Sequence, residues 1–260
     1  KKYIKKIFFL KKILMKKIKA IKLKNILFRN FYKKDFLRII NLKGLFVFPS
    51  GPGLATLNDN EIYKKSLQNA DFVFFDSGYF VLLLRILKNI TVKKFSGYLF
   101  LKLLFKHFKN NRITKILSVD PSYKLSKKNR NLFLNLGISK KKIINYISPM
   151  YENSIIVDKK LLNIANKIKP NYIILNLGGG VQEILGLYLK KNLNLETKIV
   201  CTGAAISFFT RDQAPINMIL DKFYLGWLTR IIFKPNIFLP RYLKSLNLFK
   251  IVLREKIDIL

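Results

Sequence analysis

A chain of 260 residues can build one large α/β domain or two small ones, and half of its residues are hydrophobic, enough for an ample core. Fifty Lys and Arg against 14 Asp and Glu give a formal net charge of +36. Such a charge draws the chain to nucleic acid, acidic lipid or a phosphorylated substrate, although a strongly A/T-biased coding sequence yields the same richness in Lys, Ile, Asn, Phe and Leu. A single histidine (His107) and a single cysteine (Cys201) exclude an intrachain disulfide and all but exclude a zinc site, and no apolar run approaches the roughly 20 residues of a spanning helix.

Residues 1–43 read as a basic amphipathic leader. Ile4, Ile7, Phe8, Leu14, Ile18 and Ile21 partly follow a helical period with lysines between them, which suits a helix on an anionic bilayer surface. A packed or poorly ordered leader fits the same pattern, and the continuous apolar stretch of a secretory signal is lacking.

From Gly44 the pattern becomes short apolar runs, each followed by a turn and a helix-compatible stretch. Strands are expected at Leu45 to Phe48, Phe72 to Phe75, Ile113 to Val119, Ile143 to Ile147, Tyr172 to Leu177 and Ile199 to Thr202. This alternation predicts an α/β, Rossmann-like, mostly parallel sheet with helices on both faces, spanning 44–210 as the catalytic domain. Residues 211–260 would form a C-terminal helical, basic and aromatic appendage. The Asn- and Lys-rich segments near Lys109 to Arg112, Ser126 to Asn131 and Lys190 to Asn194 read as exposed loops or helix ends.

Ligands of such sheets bind beyond the carboxyl ends of the strands, so sites are sought there. After the first strand, Ser50-Gly51-Pro52-Gly53 offers backbone N–H groups to a phosphate, and Asn58 and Glu61 have capping-box spacing. After the second, Asp76-Ser77-Gly78 places a carboxylate that can act as a general base, hold a ribose hydroxyl or cap the next helix. After the fifth, Gly178-Gly179-Gly180-Val181-Gln182-Glu183 is either a strand-to-helix turn or a pocket that hydrogen-bonds a sugar or uracil edge. After the sixth, Cys201 reads as a small core residue and Gly203-Ala204-Ala205 leaves room for close approach. A helix then runs from Pro215 to Pro235, with Ile216, Leu220, Phe223, Trp227, Leu228 and Ile231 as its apolar stripe. Arg211, Arg230 and Arg241 supply forked donors suited to a diphosphate. Beside Trp227, Phe238 and Tyr242 they form a basic, aromatic surface fit for a membrane interface.

The literal order Gly-Ala-Ala, Ala-Pro, Trp-Leu-x-Arg, Pro and Arg-Tyr resembles the C-terminal signature of the WecG/TagA/CpsF glycosyltransferase family. The similarity runs from about Leu45 to Leu243. The resemblance implies a bacterial, UDP-sugar-dependent, inverting hexosyltransferase. Such an enzyme moves an N-acetylmannosamine-type sugar to a polyprenyl-diphosphate-linked acceptor for surface polysaccharide, from the cytoplasmic face of the membrane. It puts Asp76 on the family's catalytic aspartate and Lys94, in Lys94-Phe95-Ser96-Gly97, on the arginine of an Arg-x-x-Gly motif. Gln182-Glu183 matches its Gln-Glu pair, and Trp227, Arg230 and Arg241 match the appendage that binds membrane and completes the site. With Ser50, Gly179, Gly203 and Arg211 these are the expected substrate contacts. Neither a metal nor a cofactor beyond the donor is implied, fixed cations such as Lys94 standing in for a metal.

Departures fall in the same places. Phe48 and Ser50 stand where the family has Thr and Asn, Ser77 where it has Gly, and Gly180-Val181 where it has Pro-Lys. Ile206-Ser207 replace Phe-Asp, and Gln213 replaces an Arg. A non-catalytic relative acting as a scaffold would also carry such changes. A nicotinamide-dependent oxidoreductase is a further alternative, since Gly51-x-Gly53 and Asp76 imitate a dinucleotide fingerprint, with Thr56 at its third small position. No nucleic-acid motif appears, and specific nucleic-acid binding is not expected.

Overall fold

The structure is a computed structural model and describes residues 19–110, 114–151, 155–193, 196–212, 231–232 and 235–260, the side chains of 237 and 238 excepted. Its strands are β1 (Ala20–Leu23), β2 (Ile26–Arg29), β3 (Gly44–Val47), β4 (Phe72–Phe74), β5 (Ile116–Asp120), β6 (Ile143–Ile147), β7 (Tyr172–Leu175), β8 (Lys198–Cys201) and β9 (Ile257–Ile259). They form one sheet in the order β6-β5-β7-β8-β3-β4-β2-β1-β9. Every pairing from β6 to β2 is parallel, and only β1 runs against its two neighbours. The expected mostly parallel α/β sheet is therefore present.

Alternation along the strands makes two cores. Leu45, Val47, Val73, Leu117, Val119, Ile173, Leu175, Ile199 and Cys201 face one way, against α3 (Glu61–Gln68), α4 (Gly78–Lys88), α7 (Lys159–Ile168), α8 (Val181–Asn192) and α10 (Asn247–Arg254). Phe46, Phe74, Ile116, Ile174 and Val200 face the other way, against α1 (Phe36–Ile40), α5 (Gly97–Asn110) and α6 (Tyr123–Asn135). Phe48 stacks on Phe74 with centroids 4.3 Å apart, and both rings meet Phe100 of α5. Cys201 is buried among these apolar groups, as a small core residue.

Helix α8 packs directly on Leu45 and Cys201 of the sheet because Gly186 has no side chain. A methyl there would stand 2.7 Å from Leu45 Cδ1 and 3.0 Å from Cys201 Sγ, both wholly buried. Gly186→Val is expected to destabilise the protein by roughly 1–3 kcal/mol through overpacking. Urea unfolding measures this, and unchanged stability would show that α8 can shift outward.

Several local expectations are corrected. The amphipathic leader expected over 1–43 gives way, from Ala20 onward, to the β1–β2 hairpin. Ile21, Leu23, Ile26 and Phe28 alternate inward at period two, and Lys24 and Asn25 turn with φ of 49° and 63°. The part of the leader before residue 19 lies outside the described residues. The appendage does not end as a helix either, since Ile257–Ile259 adds β9 to the hairpin edge. Ser126 to Asn131 is the middle of α6 rather than a loop, with Ser126 and Asn129 buried. Most of the helix expected between Pro215 and Pro235 lies outside the described residues. Pro235 itself opens α9 (Pro235–Lys244), at a first turn that needs no N–H.

Candidate functional site

The polar side chains that the sequence places after the strands converge at the carboxyl edge of β7, β8, β3 and β4. Ser50 caps the single-turn helix α2 (Gly51–Leu54), its Oγ accepting from Gly53 N at 3.4 Å. A Cβ on Gly51 would stand 3.0 Å from Ser77 Oγ, and one on Gly179 would stand 3.9 Å from Ser50 Oγ. The turns after β3, β4 and β7 thus meet through backbone and hydroxyl groups. At Gly178 and Gly180 a Cβ would have no neighbour within 4 Å, so this loop borders open space.

Asp76 does not cap α4. Ser77 does, its Oγ accepting from Phe80 N at 3.2 Å. Asp76 reaches across instead, and its Oδ1 accepts from Gly97 N at 2.8 Å, at the N-terminus of α5 where a negative charge is favoured. Gly97 is itself pressed between Thr202 and Phe48, which fixes that helix end over β8 and β3. Asp76 remains half-buried. Lys94, also half-buried, lies in the same connection two residues before Ser96, which caps α5 by accepting from Leu99 N.

Gln182 and Glu183 are buried and tie the β7 loop to the β8 turn. Gly203 N donates to Gln182 Oε1 at 2.7 Å, Gln182 Nε2 donates to Glu183 Oε1 at 2.9 Å, and Gly180 N donates to Glu183 Oε2 at 2.7 Å. Gly180 and Gly203 take φ of 93° and 60°, conformations that only glycine adopts freely. Burial pushes the Glu183 carboxyl up to about 7 against the pull of its hydrogen bonds, and the nearby Asp76 charge adds to the rise.

Two groups in this region went unread in the sequence. Tyr63 of α3 is buried, with its hydroxyl 2.7 Å from where a Gly53 Cβ would lie, directly under α2. Burial raises its phenol far above the ordinary value, and the charges of Glu183 and Asp76 push the same way. Nothing in the apolar spacing of α3 separates it from a core aromatic. Asp120, at the end of β5, is wholly buried among neutral donors. The rule of looking immediately after each strand does reach it. The capping box expected between Asn58 and Glu61 is replaced by Asn60, whose Oδ1 accepts from Tyr63 N.

Not every candidate joins the cluster. Arg211 is exposed, with φ of 61°, on a loop held down by the Lys128–Asp212 ion pair. Arg241 is exposed on α9. One turn further on, Ser245 donates to its carbonyl, and a Cβ on Gly51 would lie 3.9 Å from Ser245 Oγ, so the appendage reaches the α2 turn even though the guanidinium faces outward. Trp227 and Arg230 lie outside the described residues. Among the described residues no three His, Cys, Asp or Glu side chains are grouped as a metal site, and no helix is long and apolar enough to cross a membrane.

A parallel sheet with a half-buried carboxylate, hydroxyls and a glycine loop at its carboxyl edge defines an α/β protein whose polar groups gather where such sheets take ligands. Comparison with known families makes this specific. Residues 21–259 match the model of the glycosyl transferase WecG/TagA/CpsF family, and the chain belongs to that family. It is thereby a glycosyltransferase of cell-surface polysaccharide synthesis. No curated protein matches the chain.

Proposed function

We propose that the protein transfers an N-acetylhexosamine-type sugar from a UDP donor to a polyprenyl-diphosphate-linked acceptor with inversion, Asp76 acting as general base. The observation that carries this reading is the Asp76 carboxylate, held by Gly97 N–H at the same carboxyl edge of the sheet as the open Gly178–Gly180 loop. There it can take the proton of an acceptor hydroxyl as that oxygen bonds the anomeric carbon and the C1–O bond to UDP breaks. Ser50, Gly179 and the Gln182–Glu183 bridge line the donor side. Lys94 offsets the charge of the departing diphosphate, without a metal or other cofactor. Family membership supports sugar transfer over the dinucleotide reading of Gly51 and Gly53. Calorimetric titration tests it: UDP-N-acetylmannosamine or UDP-N-acetylglucosamine should bind saturably at high salt while NADH does not. Equal binding of all three that salt erases would sink the proposal.

The acceptor reading places the protein on the inner face of the cell membrane. Leu239 and Leu243 of α9, Leu246, and Phe249 and Leu253 of α10 are exposed among Arg241, Lys244, Lys250 and Arg254, while Leu248, Ile251 and Val252 anchor α10 to the core. An apolar stripe rimmed by cations suits an anionic bilayer surface. The double variant Phe249→Asp, Leu253→Asp should lose at least about tenfold in binding to vesicles containing anionic lipid, given the roughly 1.5–3 kcal/mol typical of each buried apolar side chain. Undiminished co-sedimentation would assign the stripe another role.

A further inference from the structure

The family match begins at Ile21, so residues 1–20 are outside the part of the chain that family membership accounts for. Residues 1–18 consist of eight lysines and ten apolar or aromatic residues and nothing else, the lysines in pairs four to six residues apart. Those residues lie outside the described structure, but the point at which they join the fold is fixed. Lys19 N donates to Leu260 O at 3.1 Å, and Lys19 O accepts from Asn30 N at 2.8 Å. Asn30 Oδ1 in turn accepts from Lys93 N at 2.8 Å, one residue before Lys94. In register, Ala20 lies opposite Arg29 of β2, and Arg29 lies beside Phe74 of β4, two residues before Asp76. The segment is therefore tethered at the carboxyl edge of the sheet, two strand spacings or about 10 Å from the end of β4.

Composition narrows what such a segment contacts. Burial in the protein would strand its ammonium groups, because it carries no acid of its own and the fold has few to offer. Among the described residues, seven of the chain's 14 carboxylates already pair with other cations. The apolar stripe of α9 and α10 is rimmed by Arg241, Lys244, Lys250 and Arg254, which repel a segment of the same sign. Nucleic acid would satisfy the lysines and leave ten apolar side chains in water. A bilayer containing anionic lipid satisfies both, since headgroups take the ammonium groups while the acyl boundary takes the apolar ones. The described surface at the tether has the matching charge, with Arg29, Lys33, Lys34 and Lys93 all exposed.

We propose that residues 1–18 bind the surface of an anionic bilayer and, through their tether at Lys19, hold the carboxyl edge of the sheet towards it. This attachment is separate from the stripe on α9 and α10, and two attachments on one chain strengthen each other, because the second forms while the first already holds the protein at the surface. Binding of the segment does not depend on the donor or acceptor proposed above. Its use to the enzyme does rest on that reading, since an edge held at the bilayer brings Asp76 to the hydroxyl of a lipid-linked acceptor.

The test is flotation of the full chain with vesicles of phosphatidylcholine alone or mixed with phosphatidylglycerol. Wild type should bind the anionic vesicles at least about a hundredfold more tightly than the neutral ones, as several lysines near such a surface add their attractions. Two full-length variants separate charge from apolar contact. Lys5→Glu, Lys6→Glu, Lys11→Glu, Lys12→Glu should bind the anionic vesicles at least about a hundredfold more weakly. Phe8→Ser, Phe9→Ser, Leu10→Ser keeps every charge and should still lose at least about tenfold. Both losses should persist on top of Phe249→Asp, Leu253→Asp, which distinguishes the segment from the stripe, and neither variant should alter the affinity for a UDP-sugar. Thermal unfolding confirms that each variant is folded. Equal binding of wild type to neutral and anionic vesicles overturns the proposal without recourse to any variant. Full binding by the folded serine variant overturns it too, and if that variant also binds a DNA duplex tightly, the segment belongs with nucleic acid.

Discussion

Asp76→Asn is expected to lower the rate of sugar transfer by about 10²- to 10⁴-fold, the range over which a positioned general base acts. The substitution separates charge from structure. An asparagine keeps an oxygen where Gly97 N–H now donates at 2.8 Å, so the N-terminus of α5 and its packing against Thr202 and Phe48 stay in place. What is removed is the proton acceptor and a negative charge at a helix N-terminus, the latter a matter of about 0.3–1 kcal/mol. Donor binding should change little, because the contacts proposed for the nucleotide lie on β3, β7 and β8. The signature is thus a loss in kcat with KM for the donor preserved, measured as radiolabelled sugar passed to a lipid-linked acceptor. Asp76→Ala goes further, since it also strips Gly97 N–H of its acceptor, and should add a measurable loss of stability. Full transfer by a folded Asp76→Asn would assign the base to another residue.

The sheet was legible because parallel strands buried on both faces read as continuous apolar runs. Runs such as Phe72-Val73-Phe74 and Tyr172-Ile173-Ile174-Leu175 leave little choice of element. The β1–β2 hairpin was not, since its four-residue strands sit in a lysine-rich stretch where charge hides the alternation of Ile21, Leu23, Ile26 and Phe28. β9 is three residues long and is made only by pairing with β1, a contact that no local pattern encodes. Within the site, Asp76 and Gln182-Glu183 stood out because they follow strands directly, and the structure gives each a defined partner. Their partners were invisible. Gly97 and Gly203 lie 21 residues away in sequence from the side chains they meet, and Tyr63 carries no mark that distinguishes it from the core.

The contribution of Glu183 to stability should fall as pH rises from about 4.5 to about 7, a dependence that Glu183→Gln abolishes. The Glu183 carboxyl is raised from the ordinary 4.5 to about 7, chiefly by burial, with Asp76 adding to it. Between these two values the folded state holds a proton that the unfolded chain has released, so folding is favoured at the acid end and loses that advantage as pH rises through the folded value. The difference corresponds to about 3 kcal/mol, an upper bound reached only above pH 7. His107 acts the other way, because burial depresses it below its ordinary 6.5, and its contribution grows as pH climbs towards that value. Wild type alone therefore reports a sum, and the difference between wild type and Glu183→Gln isolates the carboxyl. The glutamine keeps one oxygen for Gly180 N–H but turns an NH2 towards Gln182 Nε2, so a constant loss of roughly 1–2 kcal/mol is expected on top. That loss is independent of pH and does not mask the slope. Denaturant unfolding at pH 5, 6, 7 and 8 reads both quantities. If the two proteins show the same pH slope, Glu183 is ionised throughout that range and the bridge from Gly180 to Gly203 is held by a permanent charge.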